Sequence, residues 1–178
     1  MKLLHESIPA EFLAGLPEGM KYIHKHGNGY LVVETLCCPE GHSLMSESVR
    51  IHGEPSIEIA VERPGGTGHI YVDAFWGSHA KLYDFMPEDP TEISTAVAVC
   101  PTCTTSLLQP GRCGAAGCAA ESRIVFHLPN EGDRITACAR LGCPDHAIVA
   151  GGLPKEVSRE LGEINFFGYG EDEQFHGI

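Results

Sequence analysis

Eight cysteines stand in four close groups: Cys37-Cys38-Pro39-Glu40-Gly41-His42, Cys100-Pro101-Thr102-Cys103, Cys113-x4-Cys118 and Cys138-x4-Cys143-Pro144-Asp145-His146. Cysteines placed only for packing have no reason to fall two by two within five residues of each other. Metal ligation supplies one. A short loop aims two thiolate or imidazole ligands at one point, and two such loops complete the tetrahedron that a zinc ion prefers. The spacing therefore predicts a metal protein with two closed structural sites. The same thiolates also suit an iron–sulfur cluster, which spacing alone does not separate from zinc.

The later two groups flank two predicted strands, 122–128 and 133–138, joined by Pro129-Asn130-Glu131-Gly132. A hairpin turning at Glu131 sets Cys138 opposite Ile124 and Cys118 opposite Pro144, so the ends of the lobe meet. Cys113, Cys118, Cys138 and Cys143 then form one ligand set, with His146 as an alternative to Cys143 because Cys-x2-His is itself a ligand spacing. The other set is Cys38, His42, Cys100 and Cys103. Adjacent strand residues point to opposite faces, so Cys37 and Cys38 do not easily serve one ion. Cys38, followed by proline, is the expected ligand, and Cys37 is expected as a buried thiol. A redox role for Cys100-x-x-Cys103 requires a helix opening after it. Thr104-Thr105-Ser106 is a poor one.

Cys38-Pro-Glu-Gly-His42 and Cys100-Pro-Thr-Cys103 resemble the knuckles of zinc-ribbon proteins, in which a turn with proline or glycine exposes backbone N–H groups to the thiolates. The resemblance covers these few residues and implies a structural zinc ribbon without a specific family. The first knuckle departs from it by ending in histidine with one extra residue, and the later groups depart by their Cys-x4-Cys spacing.

A second constellation is made of histidines. His24-x-His26 on one strand, and Pro64-x-Gly66-x2-His69-x3-Asp73 at a turn entering another, look like fragments of the two metal motifs of cupins. That resemblance implies His24, His26 and His69 as ligands of a catalytic metal in a small β-barrel, and hence a metal-dependent enzyme. Against it, the next acid after His26 is Glu34, eight residues on, and Asp73 stands where asparagine is usual. Gly65-Gly66-Thr67-Gly68 leads into a strand, so no helix N-terminus waits there for a phosphate.

Short strands must position these groups. The chain has 178 residues with 21 glycines and 12 prolines, which favours turns over long helices. A short helix follows Ser7 as cap and Pro9 in its first turn. A hairpin is expected from 21–26 and 30–36 around Gly27-Asn28-Gly29, then strands at 47–52, 56–62, 69–76 and 92–99. Ile57, Ile59 and Val61 alternate with Glu58, Ala60 and Glu62, the pattern of a half-buried strand. Residues 83–90 read as irregular. Leu153, Val157, Leu161 and Ile164 recur at helical spacing, predicting a helix over 153–164. The tail mixes aromatic and acidic residues without a period.

The predicted fold class is mainly β (α+β): an antiparallel strand-rich body with a zinc-ribbon-like C-terminal lobe. The expected division is 1–99 as body, 100–152 as metal-held lobe, and 153–178 as helix and tail. A net charge of −12 weighs against nucleic acid, which draws its affinity from Lys and Arg. The opening Met1-Lys2-Leu3-Leu4-His5-Glu6 does not read as a signal peptide. No apolar run approaches membrane-spanning length. Paired cysteines without these features point to the reducing cytoplasm. The expectation is a small cytoplasmic binding or accessory protein with two structural zinc ions, protein partners and no catalytic role. The metal-dependent enzyme is the alternative.

Overall fold

A computed structural model describes residues 8–86, 98–140 and 142–165. The antiparallel, mainly β architecture is as expected, with no barrel among the described residues. Strands β1 (Met20–Lys25) and β2 (Asn28–Val33) form a hairpin. A second sheet contains β3 (Met45–Ile51), β4 (Glu54–Arg63), β5 (Gly66–Val72) and β6 (Lys81–Tyr83) in that order, with β7 (Ala98–Val99) also pairing β4. A third has the order β11 (His146–Val149), β10 (Arg134–Cys138), β9 (Ser122–His127), β8 (Leu108–Pro110). Two helices are described, α1 (Ala10–Ala14) and α2 (Lys155–Gly162). Ser7, the expected cap of α1, lies outside the described residues, as do most of the 92–99 strand, residues 87–90 of the irregular stretch and the tail from 166.

The hairpins turn one or two residues away from where the glycine content places them. β1 and β2 pair Lys25 with Asn28, so the loop is His26-Gly27, with φ of 51° and 81°. β3 and β4 close in the same way over His52-Gly53, at 54° and 87°. Two left-handed residues in succession define the two-residue turn whose twist matches paired strands. Histidine tolerates that conformation better than most residues with a side chain. His26 is thus a turn residue, not a strand partner of His24. In the third sheet Cys138 pairs with Arg123 rather than Ile124. The loop is the even four-residue 129–132, with Leu128 N–H bonded to Asp133 O at 3.0 Å, so the turn centres between residues 130 and 131.

The apolar core draws on residues from before, within and after the 100–152 stretch, among them Phe12, Leu36, Ile59, Phe75, Leu107, Ile148 and Leu161. β2 is buried along its whole length, because it also meets the segment after β5: Val33 N–H donates to Ala74 O, and Trp76 N–H to Leu31 O. Helix α2 buries Val157 and Leu161, and its last turn is fastened by the Trp76 indole N–H, which donates to Leu161 O at 2.9 Å.

Candidate metal centres

Strand β4 is the template for the first group. Val99 of β7 pairs with Ala60, and Met45 of β3 pairs with Ile57. β5 occupies the opposite edge of β4 along residues 57–63, so β3 and β7 share one edge. The turn at 38–42 runs into β3 and the turn at 100–103 leaves β7, so β4 brings two knuckles far apart in the chain together. Leu44 O accepts from Glu58 N–H at 2.7 Å, locking the approach.

Each knuckle is a tight turn. Gly41 N–H donates to Cys38 O at 2.9 Å, and Gly41 has a φ of 87°. Thr104 N–H donates to Cys100 O at 2.9 Å, and Thr104 takes the left-handed conformation at 59°. The Thr102 N–H points at Cys100 Sγ, 3.4 Å away. The result gathers Cys38 Sγ, His42, Cys100 Sγ and Cys103 Sγ within 4.8 Å of one another. Cys38 Sγ is 3.7 Å from Cys103 Sγ and 3.6 Å from His42 Nδ1.

The second group is built from one device used twice. In Cys113-Gly-Ala-Ala-Gly117-Cys118 and Cys138-Ala-Arg-Leu-Gly142-Cys143 the first cysteine accepts at Sγ from the N–H two residues on, Ala115 or Arg140, at 3.4 Å in both. The carbonyl of that same residue accepts from the second cysteine's N–H at 3.2 Å in both. Gly117 and Gly142 supply the positive φ, 77° and 91°, that turns the chain back. The first cysteine's N–H then bonds the carbonyl seven residues later, Ala120 or Asp145. The shared Cys-x3-Gly-Cys pattern is visible in the sequence, where the glycine signals the turn that the cysteine spacing alone does not. The two turns face each other at one end of the third sheet, with Cys113 and Cys143 sulfurs 3.5 Å apart and those of Cys118 and Cys138 3.7 Å apart. All four ligand atoms lie within 4.8 Å.

These separations discriminate between chemistries. A disulfide needs about 2.05 Å between sulfurs. Four thiolates about 2.3 Å from a central ion stand roughly 3.8 Å apart along each tetrahedral edge. The observed 3.5–3.7 Å lies near the second value, and all eight cysteines are free thiols. Both groups can therefore hold a metal ion.

The surroundings favour thiolate unevenly. The Thr105 hydroxyl and N–H lower the Cys103 thiol to about 6, and the Ala120 N–H lowers Cys118 to about 7. Burial pushes Cys100 and Cys113 up, and Cys138 up to about 11. A bound cation would draw these latter three toward the thiolate form. Asp145 braces the second group. Its Oδ2 accepts from Gly114 N–H at 2.9 Å and Arg123 at 2.6 Å, and lies 3.2 Å from Cys113 Sγ. Burial alone raises its carboxyl, but these donors overcome that and hold it low. Neither Asp145 nor Arg123 was marked by its spacing.

The remaining candidates fall elsewhere. Cys37 is half-buried rather than buried, and its backbone exchanges two hydrogen bonds with His127, at 2.8 and 2.9 Å. His146 does not replace Cys143: its Nδ1 donates to Pro144 O at 2.8 Å and its ring packs edge-on against Trp76. The three-histidine constellation is not assembled. His26 is in a turn, and His69 lies on β5 with Nδ1 2.8 Å from Asp84. Asp73 serves His52, at 2.7 Å, instead of His69. Among the described residues no group of potential ligands includes His24, His26 or His69. The Ser78 hydroxyl donates to Asp73 and not to an imidazole, so Ser78-Asp73-His52 is a part-buried pin instead of a nucleophile with its base. Among the described residues, no helix is long and apolar enough to cross a membrane. Compared with protein-family models, curated proteins and solved structures, the chain matches none.

Proposed function

We propose that this chain is a small cytoplasmic binding or accessory protein, held in shape by two structural zinc ions and without a catalytic role. The observation that carries the reading is the closure of both donor sets: three sulfurs with one imidazole nitrogen, and four sulfurs, each within 4.8 Å. Four protein ligands around zinc leave no position for water or substrate, which is the mark of a structural site. The free thiols support a reducing compartment. The first group, two knuckles at strand ends, supports a ribbon-like arrangement. A protein partner is favoured by the acidic balance of −12, which repels nucleic acid, and by the outer strand β11 with Val149 exposed on it.

Cobalt substitution tests closure. Both cobalt-loaded sites should show tetrahedral absorption with thiolate charge-transfer bands, unchanged by added cyanide or azide. A spectrum that shifts with either anion reveals an open position and overturns the non-catalytic reading.

A further inference from the structure

The cleft between the two larger sheets lies beside the second ligand set, whose Cys138 and Cys143 border it. β4 and β5 line it with Ile57, Ile59 and Val72, and β9 and β10 with Ile124, Phe126 and Ile135. Its volume, about 120 Å³, is close to the roughly 150 Å³ of a cavity that takes one benzene ring. The walls are held in place. Trp76 is fastened to α2 through Leu161 O, and its ring meets His146 edge-on with centroids 4.7 Å apart.

The charges in the lining are unbalanced. Its two carboxylates are committed: Asp73 to His52, Ser78 and the Phe75 N–H, and Asp145 to Arg123 and the Gly114 N–H. Its two cations, Lys81 and Arg140, make no ion pair among the described residues. Lys81 is half-buried and, among the described residues, donates only to the His79 carbonyl, at 3.2 Å. In a chain of net charge −12, a cation withdrawn into an apolar cleft with no ion pair among the described residues needs an explanation.

We propose that this cleft binds a small organic carboxylate, with an apolar part of about one ring between the sheets and its anionic group on Lys81 and Arg140. Burial lowers the Lys81 ammonium from its ordinary value, and an anion in the cleft would offset that cost. A singly charged carboxylate suits the site better than phosphate. It brings less charge out of water, it offers the planar edge that a guanidinium matches, and its apolar body fills the walls. The inference rests on the second zinc centre, since the Cys138–Cys143 turn forms part of one wall.

Calorimetric titration of the full zinc-loaded chain tests it, with benzoate, benzamide and inorganic phosphate as probes and zinc content measured in every sample. Benzoate should bind with a Kd of about 1 mM or tighter, and benzamide and phosphate at least about tenfold more weakly. Lys81→Met should weaken benzoate binding by about tenfold or more while keeping both zinc ions, and Lys81→Arg should restore it. Arg140→Ala, at an exposed side chain, should weaken it too and serves if Lys81→Met does not fold. The proposal is overturned if benzoate does not bind a chain holding both zinc ions, if benzamide or phosphate binds as well as benzoate, or if the Lys81 and Arg140 variants bind benzoate like the wild type. Lys81-dependent binding by a chain without zinc would keep the cleft and remove the zinc reading.

Discussion

Cys37 and Cys38 are joined by one peptide bond and meet different surroundings. Cys38 is buried, with its sulfur 3.7 Å from Cys103, while Cys37 spends its backbone on His127. Cys38→Ser should therefore remove one metal equivalent and cost about 3 kcal/mol or more, since the site loses a ligand and its folding energy. Cys37→Ser should keep both metals and change stability by about 1 kcal/mol or less. Metal analysis with urea denaturation reads both, and metal loss from Cys37→Ser would reverse the assignment. The choice between the two was legible because strand neighbours face opposite ways and proline follows Cys38. Asp145 was not legible, because an acid two residues past a cysteine looks the same whether solvated or bracing a metal turn. Its role depends on Arg123 and Gly114 being folded against it. Asp145→Asn should weaken metal binding by the four-cysteine group about 10- to 100-fold, read by chelator competition, and leave the Cys38 group unchanged. An equal effect on both groups would point to general unfolding instead.

At the scale of elements, β4 does most of the positioning. Its alternating pattern was readable at residues 57–62, and its pairing with both β3 and β7 brings the first two knuckles to one place. Strands β6, β8 and β11 went unread because three or four residues are too few to show a period. The hairpin registers went unread for another reason. His26 and His52 take left-handed conformations that the sequence advertises only weakly, and each shift of one residue exchanges the faces of a strand. The two-residue turn at His26-Gly27 is what dissolves the His24/His26 pair on which the cupin resemblance stood, because it takes His26 off the strand. Gly77 tests how tightly the segment after β5 is clamped to α2. Its φ is 85°, and a Cβ there would lie 2.5 Å from Ile164 O. Gly77→Ala should cost about 2 kcal/mol or more in a denaturation midpoint experiment, from the left-handed conformation and the clash together. A loss below about 0.5 kcal/mol, the range of an ordinary surface substitution, would show that α2 moves aside freely.

In the whole molecule the two ligand sets sit at separate sheets, and the apolar core joins the segments that carry them. Cys38, Cys100 and Cys138 are themselves buried, so the metal turns are continuous with the core. The clustering of cysteines made the ligand groups readable at a distance. The cleft between the sheets was not readable, because its lining comes from segments far apart in the chain and Lys81 alone resembles any surface lysine. Two structural zinc ions per chain are what the proposed function requires, and native mass spectrometry of protein purified under reducing conditions measures them directly. The wild-type chain should carry two zinc ions, Cys38→Ser and Cys118→Ser should each carry one, and the double variant none, with strong chelators unfolding the wild type as they strip it. A folded wild-type chain that carries no zinc, or that keeps its full metal load when Cys38 or Cys118 is replaced, would contradict the proposed function.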